Sequence, residues 1–308
     1  MKRVRVRVPA SSANLGPGFD CLGLALSLYH SLTVIERDGE GVEIFVAGEG
    51  ADELPRDEEN AVYRAMEAFF QDSGYRPGRL SIESESEIPV GRGLGSSAAA
   101  VLSGLAAAAL LSGREVDARG LMALAAGLEG HVDNVAASLL GGFCVVGPLS
   151  TGLGTGLGEF IRMEAPDALA AAVAVPDLTV DTRQARAVLP ATVTFGDAVA
   201  NQGRVAMLTA AMASGRLDLL AASMEDCLHE SHRAALVPGL DRVCRAAVEA
   251  GAYGAVLSGS GPSVLALVRP GDDAPGSAMK EAWRQEGVSS RALLLDIDRV
   301  GLRAEQLD

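Results

Sequence analysis

The sequence has 308 residues, of which 48% are hydrophobic and 21% charged, a composition typical of a globular protein rather than of a disordered chain. Its net charge of −14 argues against a general surface for nucleic acids or anionic membranes, although a local site can still bind an anionic substrate. The two lysines, Lys2 and Lys280, lie near the termini, which excludes any mechanism that needs a lysine in mid-chain.

The cysteines and the N-terminus indicate the compartment. No CxxC pair or short spacing occurs, so we interpret the four cysteines as buried thiols rather than disulfides or metal ligands: Cys21, Cys144, Cys227 and Cys244. Such thiols suit a reducing cytoplasm. The start, MKRVRVRVPA, alternates Arg with Val and predicts an amphipathic strand rather than a signal peptide. The apolar run at 96–112 is short for a membrane span and predicts a buried helix.

Hydrophobic spacing predicts the elements of the first half. A helical spacing of apolar residues at 60–70 predicts a helix, and the segment IPVGRGLGSSAAA opens a longer one. Alternating acids at Glu83, Glu85 and Glu87 predict the solvated face of a strand. The predicted strands lie at 3–8, 24–28, 32–35, 42–46 and 80–88.

The second half has a different pattern. A strand is predicted at 143–146, and the glycine-rich stretch after it, which has no aromatic or charged residue, predicts a linker or turn near 145–160. Further strands are predicted at 171–175 and 264–268, and helices at 199–214 and 240–251. This alternation is typical of an α+β layer with two helices on a sheet. We therefore predict one domain over 1–150 and a second over 151–308.

The segment Gly91-Arg-Gly-Leu-Gly-Ser-Ser-Ala is the most informative stretch. Its alternate glycines let the backbone curl with N–H groups inward, and the start of the following helix can bind phosphate through free N–H groups and its dipole. Ser96 can cap this helix, and Ser96 or Ser97 can add a hydroxyl donor or a Mg²⁺ ligand. The predicted phosphate-binding residues are Pro89, Gly91, Arg92, Gly93, Leu94, Gly95, Ser96 and Ser97.

Two familiar loop motifs do not match this segment. It lacks the lysine of the Walker A loop, GxxxxGK[ST], and Ser96 stands where the dinucleotide fingerprint GxGxxG needs its last glycine. A tight strand-to-helix turn with a serine cap is the structural alternative, and the loop alone leaves it open.

Polar residues cluster in two further segments. In SSANLGPGFD, Asn14 and Asp20 can bind an amino or hydroxyl group of a small polar ligand, or form an Asx-type turn. In EGHVDN, Glu129 can coordinate Mg²⁺, and either Asp133 or Asn134 can orient an attacking hydroxyl. The two segments together predict a polar ligand and a metal ion.

His131 lies in the second segment, between Glu129 and Asp133. One histidine with no cysteine nearby is a poor set for zinc, and a lone histidine is more often structural than functional. We nevertheless include His131 in the predicted substrate site, because carboxylates and an amide surround it in the sequence.

Two arginines and a small-residue loop complete the candidates. Arg186, in TRQARAVLP, and Arg233, in ESHRAALVPG, can hold a carboxylate in a two-pronged geometry, although each alone is more typical of a surface ion pair. The loop GAVLSGSGPS at 254–263 either contacts the ligand through Gly259 and Ser260 or is simply a tight turn.

Three segments, in this order, resemble the GHMP kinase family: PASSANLGPGFD, IPVGRGLGSSAAA and AYGAVLSGSGPSVLAL. They bracket residues 9–268. Within the family the match is closest to the branch that phosphorylates homoserine, because Pro9–Leu26, Glu129–Gly142 and both arginine contexts are similar to that branch. Mevalonate-type members instead have an APGK-like start whose lysine assists catalysis. This chain has ASSAN there, which is in keeping with a mechanism without a strong general base.

The resemblance implies a fold, a reaction and ligands. The fold would be α+β, with an N-terminal domain like domain 2 of ribosomal protein S5 and a C-terminal ferredoxin-like domain. ATP would lie across the GRGLGSS loop, with Ser97 and Glu129 holding Mg²⁺. The residues implied to hold L-homoserine are Asn14, Asp20, Arg186 and Arg233. The cellular role would be the step of threonine biosynthesis that makes O-phosphohomoserine.

Two other functions stay open at this point. A GHMP kinase for another small alcohol would not need the arginine pair, and a non-catalytic ligand sensor would be expected to have lost residues of the phosphate loop or the metal site. Neither loss is seen, since Ser97 and Glu129 are both present. No nucleic-acid or membrane partner is expected, and a homodimer is expected by family analogy alone.

Overall fold

The computed structural model describes residues 1–147 and 159–307. The strands are β1 (Lys2–Asn14), β2 (Gly18–Arg37), β3 (Val42–Gly48), β4 (Arg79–Ser86), β5 (Phe143–Val146), β6 (Phe160–Met163), β7 (Ala170–Pro176), β8 (Gly254–Leu257), β9 (Val264–Val268), β10 (Ser290–Leu295) and β11 (Arg303–Leu307). The helices are α1 (Ala61–Ser73), α2 (Ser96–Leu111), α3 (Ala118–Glu129), α4 (Asp133–Leu140), α5 (Thr182–Ala187), α6 (Phe195–Ser214), α7 (Leu220–Ser223), α8 (Glu230–Arg233), α9 (Leu240–Glu249) and α10 (Ala274–Gln285).

The larger sheet has the strand order β11-β1-β2-β4-β3, and β5 and β6 extend it from β2. The β3–β4 pair is parallel, and the other pairs are antiparallel. The predicted alternation in β1 is confirmed, because Val4, Val6 and Val8 are fully buried while the arginines between them are exposed. Period-two alternation of this kind turns one face of a strand toward the core.

Helix α2 lies in the core of this half and packs against β1, β2 and the helices α1, α3 and α4. Its sequence is apolar on all sides, and nearly every residue from Ala98 to Leu111 is buried. A helix that is hydrophobic all round belongs in a core. The run at 96–112 is therefore a buried helix, as predicted, and no helix in the ranges 1–147 and 159–307 has the length and apolarity to cross a bilayer.

The smaller sheet has the order β10-β7-β9-β8, with every pair antiparallel. Helices α9 and α10 pack on it. Numbered within this sheet alone, the strand order is 4-1-3-2 around two helices, which is the ferredoxin-like arrangement predicted. The amphipathic α9 buries Leu240, Val243 and Ala247, and Trp283 of α10 is fully buried in the same core.

The two sheets share part of one hydrophobic core. Leu220, Met224 and Val256 from the second half belong to the same buried cluster as the core of the larger sheet. Strands β6 and β11 also come from the second half and complete that sheet. The division of the chain near residue 150 stays a prediction, and the glycine-rich stretch at 148–158 lies outside the described residues.

Candidate active site

One cleft contains every residue named above as a candidate for binding phosphate, metal or substrate. It encloses about 700 Å³ of space, part of it open to solvent. Its walls come from the end of β1, the loop before α2, the starts of α2, α4 and α5, and the turn between β8 and β9. Residues distant in sequence therefore meet in one place, although their individual roles stay predictions.

The loop before α2, which is predicted to bind phosphate, is shaped by its glycines. Gly91, Gly93 and Gly95 have φ values of 66°, 74° and 71°, a left-handed conformation that glycine adopts without a steric penalty. A Cβ atom at Gly93 would collide with the carbonyl oxygen of Ser258, and one at Gly95 with the Oγ atom of Ser11. The loop can therefore pack this closely against both neighbours only with glycine at these positions.

The start of α2 has no side-chain cap. The N-cap residue is Gly95, so the prediction that Ser96 caps the helix is wrong. Ser96 already lies inside the helix, where its side chain makes no capping bond. In the described part of the chain the N–H groups of Ser96, Ser97 and Ala98 have no acceptor. Free N–H groups and the positive end of the helix dipole together favour an anion here.

A chain of polar side chains leads away from this helix start. The Ser97 hydroxyl donates to the Glu129 carboxylate at 2.7 Å, and the second carboxylate oxygen lies 4.0 Å from Nε2 of His131. Nδ1 of His131 lies 2.9 Å from Oδ1 of Asp133, which also accepts the backbone N–H of Asn134. The hydrogen bond to the Asp133 carboxylate raises the pKa of His131, because it stabilises the protonated imidazole.

Buried serines fix the side chain of Asn134. The Ser138 hydroxyl donates to Ser11 at 2.9 Å, and Ser11 donates to Oδ1 of Asn134 at 3.0 Å. Since Oδ1 is engaged with Ser11, the amide NH₂ group of Asn134 remains available to the cleft that this residue lines. The arrangement makes Asn134 a hydrogen-bond donor toward the cleft, while Asp133 supplies a carboxylate.

The chain is strained where β1 passes into β2. Asn14, Leu15 and Asp20 have φ values of 70°, 51° and 56°, which non-glycine residues adopt rarely and which cluster at functional sites. The Asn14 amide donates to the carbonyl of Gly259 at 2.9 Å and accepts from the backbone N–H of Asp20 at 3.1 Å. Asn14 therefore ties this loop to the β8–β9 turn as well as lining the cleft.

Asp20 and Arg186 form a two-pronged ion pair across the cleft, with N···O distances of 2.8 and 3.0 Å. Each side chain is 40% exposed. The Asp20 carboxylate raises the pKa of Arg186 further above its ordinary value. Arg186 thus holds a protein carboxylate in a two-pronged geometry, and its contact with a substrate carboxylate stays a prediction.

Arg233 is 2% exposed, and most of its N–H groups are engaged within the protein. Nε donates to the carbonyl of Ala185 at 3.1 Å, and Nη1 donates to the carbonyl of Gly259 at 3.0 Å and lies 3.3 Å from Nδ1 of His229. The Nη2 group has no partner among the described residues and remains for a ligand in the cleft. The ring of Phe19 lies near both arginines, with its centre 5.2 Å from the guanidinium carbon of Arg233 and 5.5 Å from that of Arg186.

Several residues of the site were not predicted from the sequence. Thr182 and Val180 line the cleft, and the Thr182 hydroxyl lies 3.4 Å from the hydroxyl of Ser260. Thr182 precedes Arg186 by four residues on α5, a spacing that places both on one helix face and could have signalled it. His229 could not be found in this way, because its contacts to Gly16 and Arg233 arise only in the folded chain.

Two family models match the chain. The model for the GHMP kinases N terminal domain covers residues 60–142, and the model for the GHMP kinases C terminal covers residues 208–289. The chain belongs to the GHMP kinase family. The cleft of this GHMP kinase lies between the parts that the two models match, and both parts contribute lining residues.

This GHMP kinase is similar to curated proteins named homoserine kinase. The one from Synechococcus sp. (strain WH7803) is 42% identical over 302 residues, which are 97% of this chain and 94% of the relative. The one from Moorella thermoacetica is 45% identical over 286 residues, 92% of this chain and 93% of the relative. The crystal structure of homoserine kinase from Cytophaga hutchinsonii matches with a TM-score of 0.88 and 31% identity, covering 98% of this chain and 97% of that one.

Proposed function

We propose that this GHMP kinase transfers the γ-phosphoryl group of ATP to the side-chain hydroxyl of L-homoserine, giving O-phospho-L-homoserine for threonine biosynthesis. The observation that carries the proposal is one cleft lined by the uncapped start of α2 together with two arginines and an aspartate. That arrangement suits a substrate with a carboxylate, an amino group and a hydroxyl. The relatives named homoserine kinase, at 42% and 45% identity, support the same reaction.

The phosphates of ATP would lie on the loop and the start of α2. The uncapped N–H groups of Ser96, Ser97 and Ala98 supply donors, and the helix dipole supplies favourable charge. A second cavity adjoins the cleft and shares Pro89 and Arg92 with it. We assign the nucleoside part of ATP to this second cavity, because a nucleotide on the loop must extend out of the first.

Magnesium fits the donor set at the start of α2. Mg²⁺ prefers one or two carboxylates together with water and substrate phosphates. The Ser97 hydroxyl and the Glu129 carboxylate lie 2.7 Å apart beside the predicted phosphate site and would hold the ion. No group of three or more His, Cys, Asp or Glu side chains in the described ranges could hold a metal without such substrate ligands. The ion would neutralise charge on the transferred phosphoryl group.

The substrate would be held at both ends. Its carboxylate would contact Nη2 of Arg233 and the guanidinium of Arg186, and its amino group would contact Asp20. Its hydroxyl would then reach the start of α4, where Asn134 presents an NH₂ group and Asp133 a carboxylate. We assign the contact with the hydroxyl to Asn134, because this side chain is partly exposed and its NH₂ group is available, whereas Asp133 is 2% exposed.

Positioning and charge would supply most of the rate enhancement. Phosphoryl transfer passes through a loose transition state that needs little base strength. Holding the acceptor hydroxyl in line can lower the barrier by several kcal/mol, within an upper range of about 7–11 kcal/mol. This matches a cleft that contains no lysine among its lining residues. The cytoplasm is the proposed compartment, supported by four free thiols, and a homodimer stays a prediction.

An ADP-release assay across a panel of alcohols tests the proposal. With Mg·ATP, we expect L-homoserine to be turned over far faster than L-serine, mevalonate or galactose. Serine is one methylene shorter, so its hydroxyl cannot reach the in-line position while its carboxylate is held. Equal turnover of homoserine and mevalonate would point to a GHMP kinase for another alcohol. Binding without any ADP release would point to a sensor.

A further inference from the structure

His229 lies behind the substrate cleft and is 1% exposed. Its Nε2 atom lies 2.8 Å from the carbonyl oxygen of Gly16, and its Nδ1 atom lies 3.3 Å from Nη1 of Arg233. Phe19 packs on it, with ring centres 5.1 Å apart. The imidazole thus joins the strained loop that carries Asp20 to the arginine on the opposite wall.

These contacts determine the tautomer of His229. The carbonyl of Gly16 can only accept, so Nε2 carries the hydrogen and donates it. Nδ1 then has a free lone pair and accepts from Arg233. Asp226 fixes the backbone below the ring, because its Oδ2 atom accepts the N–H groups of His229 and Glu230 at 2.7 and 2.8 Å.

The contact with His229 completes the hydrogen bonding of one side of the Arg233 guanidinium. Nε and one Nη1 hydrogen go to backbone carbonyls, and the second Nη1 hydrogen goes to His229. Three bonds from two nitrogens define the plane of the group and turn Nη2 toward the cleft. Without the imidazole acceptor, a buried N–H of a charged group would have no partner, which is costly.

We infer that His229 is a positioning residue: its neutral imidazole orients Arg233 and the Gly16–Asp20 loop so that they bind the α-carboxylate and α-amino groups of the substrate from fixed sides. The inference rests on the proposed function and adds a specificity-determining residue to it. His229 does not touch the substrate and acts through Arg233.

Protonation of His229 would disrupt this arrangement. The imidazolium has no acceptor for Arg233 and would place two positive charges 3.3 Å apart. Burial lowers the pKa of His229, opposed by the Asp226 and Asp20 carboxylates and reinforced by Arg233. The affinity for homoserine should therefore fall as the pH is lowered and His229 becomes protonated. Burial raises the pKa of Glu230 on the same helix to about 8, so its titration would affect the alkaline side instead.

The experiment compares His229→Leu, His229→Gln and the control His232→Leu, which changes an exposed histidine on the same short helix. For His229→Leu we expect KM for homoserine to rise about tenfold and KM for ATP to change less than about twofold. The fall of kcat/KM for homoserine at low pH, its acid limb, should disappear. His229→Gln keeps a donor and an acceptor, so it should restore most of the affinity without the acid limb. The control should match the wild type.

A second substrate separates positioning from a general loss of structure. Propan-1-ol lacks both the carboxylate and the amino group of homoserine, so its turnover should be slow but equal in wild type and His229→Leu. The inference is overturned if folded His229→Leu keeps the wild-type KM for homoserine, or loses activity equally with both alcohols. If His229→Leu does not fold, the inference is overturned when kcat/KM of His229→Gln falls at low pH as it does in the wild type. Wild-type enzyme that leaves homoserine unphosphorylated would contradict the proposed function itself.

Discussion

Asp20 and Arg186 neutralise each other across the cleft, and this pair affects which substrates can enter. Their side chains are half exposed and joined by two hydrogen bonds. The ammonium group of a zwitterionic amino acid can take the place of Arg186 beside Asp20. Its carboxylate can likewise take the place of Asp20 beside Arg186. Neither protein charge is then left unpaired. A neutral alcohol would have to leave the pair intact or separate it at a cost, so the exchange favours a zwitterion.

At the residue scale, the metal assignment gives the first prediction. Glu129→Gln keeps the shape of the side chain and removes its negative charge, so we expect kcat to fall about 100-fold and the Mg²⁺ concentration for half-maximal activity to rise. Ser97→Ala should act in the same direction more mildly, because a water molecule can replace a hydroxyl on Mg²⁺. Steady-state rates measured over a Mg²⁺ titration check both.

Glu115→Gln is a matched control for this prediction. Glu115 is exposed, lies between α2 and α3 outside the cleft, and should leave the Mg²⁺ dependence unchanged. If Glu129→Gln is folded and fully active at limiting Mg²⁺, Glu129 does not hold the metal. The segment from Glu129 to Asn134 would then have a structural role.

The sequence allowed a prediction of which residues would share the site, but not of the bonds among them. Motifs with fixed spacing identified Asp20, Asn134 and Arg186, and all three line the cleft. The Asp20–Arg186 pair and the Ser11 contact to Asn134 join residues more than 100 positions apart, so no local pattern could reveal them. Partners of this kind depend on the packing of whole elements.

At the element scale, the approach of α2 to β1 gives the second prediction. Gly95→Ala adds a Cβ atom that collides with Ser11, which holds Asn134, and it places alanine at a φ of 71°. We expect the midpoint of thermal unfolding to fall by several degrees and KM for ATP to rise about tenfold, because the loop must shift. A fall in kcat should follow from the displaced Asn134.

Gly113→Ala provides the control, since Gly113 follows α2 with a φ of 73° and an added Cβ would meet nothing within 4 Å. It has the same backbone penalty of about 1 kcal/mol and no collision. The stability loss should therefore be smaller and the KM for ATP unchanged. Equal effects of the two substitutions would show that the close approach at Gly95 does not matter for nucleotide binding.

Elements with strong local periodicity were predicted well, and the others were not. The helix predicted at 60–70 is α1, and the strand predicted at 264–268 is β9. The apolar runs at 24–28 and 32–35 belong to the single strand β2. Strands β6 and β11 were not predicted, because each is short and depends on pairing with a distant partner. Such pairing is not encoded in local propensity.

At the scale of the whole molecule, the ferredoxin-like half followed from family resemblance rather than from periodicity. The strand order β10-β7-β9-β8 confirms it. Spacing alone had indicated two helices on a sheet and could not order the strands. The −14 net charge does not keep arginines out of the site, because Arg186 and Arg233 both line the cleft, where Asp20 balances part of their charge.

Acid stability gives the last prediction, and it concerns His30 in the core of the larger sheet. His30 is 4% exposed, and its Nε2 atom has no hydrogen-bond partner in the described ranges. Burial lowers the pKa of His30 to about 4 from an ordinary value of 6.5. Between these values the unfolded chain binds a proton that the folded chain does not, so stability falls as pH falls. By about pH 4 this group alone removes about 3 kcal/mol from the free energy of unfolding.

His30→Leu should remove that part of the acid loss. We expect the variant and the wild type to differ most near pH 4, with the variant the more stable. At pH 8 the variant should be at least as stable, because a buried nitrogen without a partner costs about 1–3 kcal/mol. Urea unfolding from pH 8 to pH 4 measures the difference, with the exposed His232→Leu as the control. Protonation of His131 has the opposite effect on the free energy of unfolding. Because the pKa of His131 is raised in the folded chain, this group adds stability at low pH and cannot produce the acid loss. Parallel pH profiles for His30→Leu and the wild type would assign the acid loss to other groups.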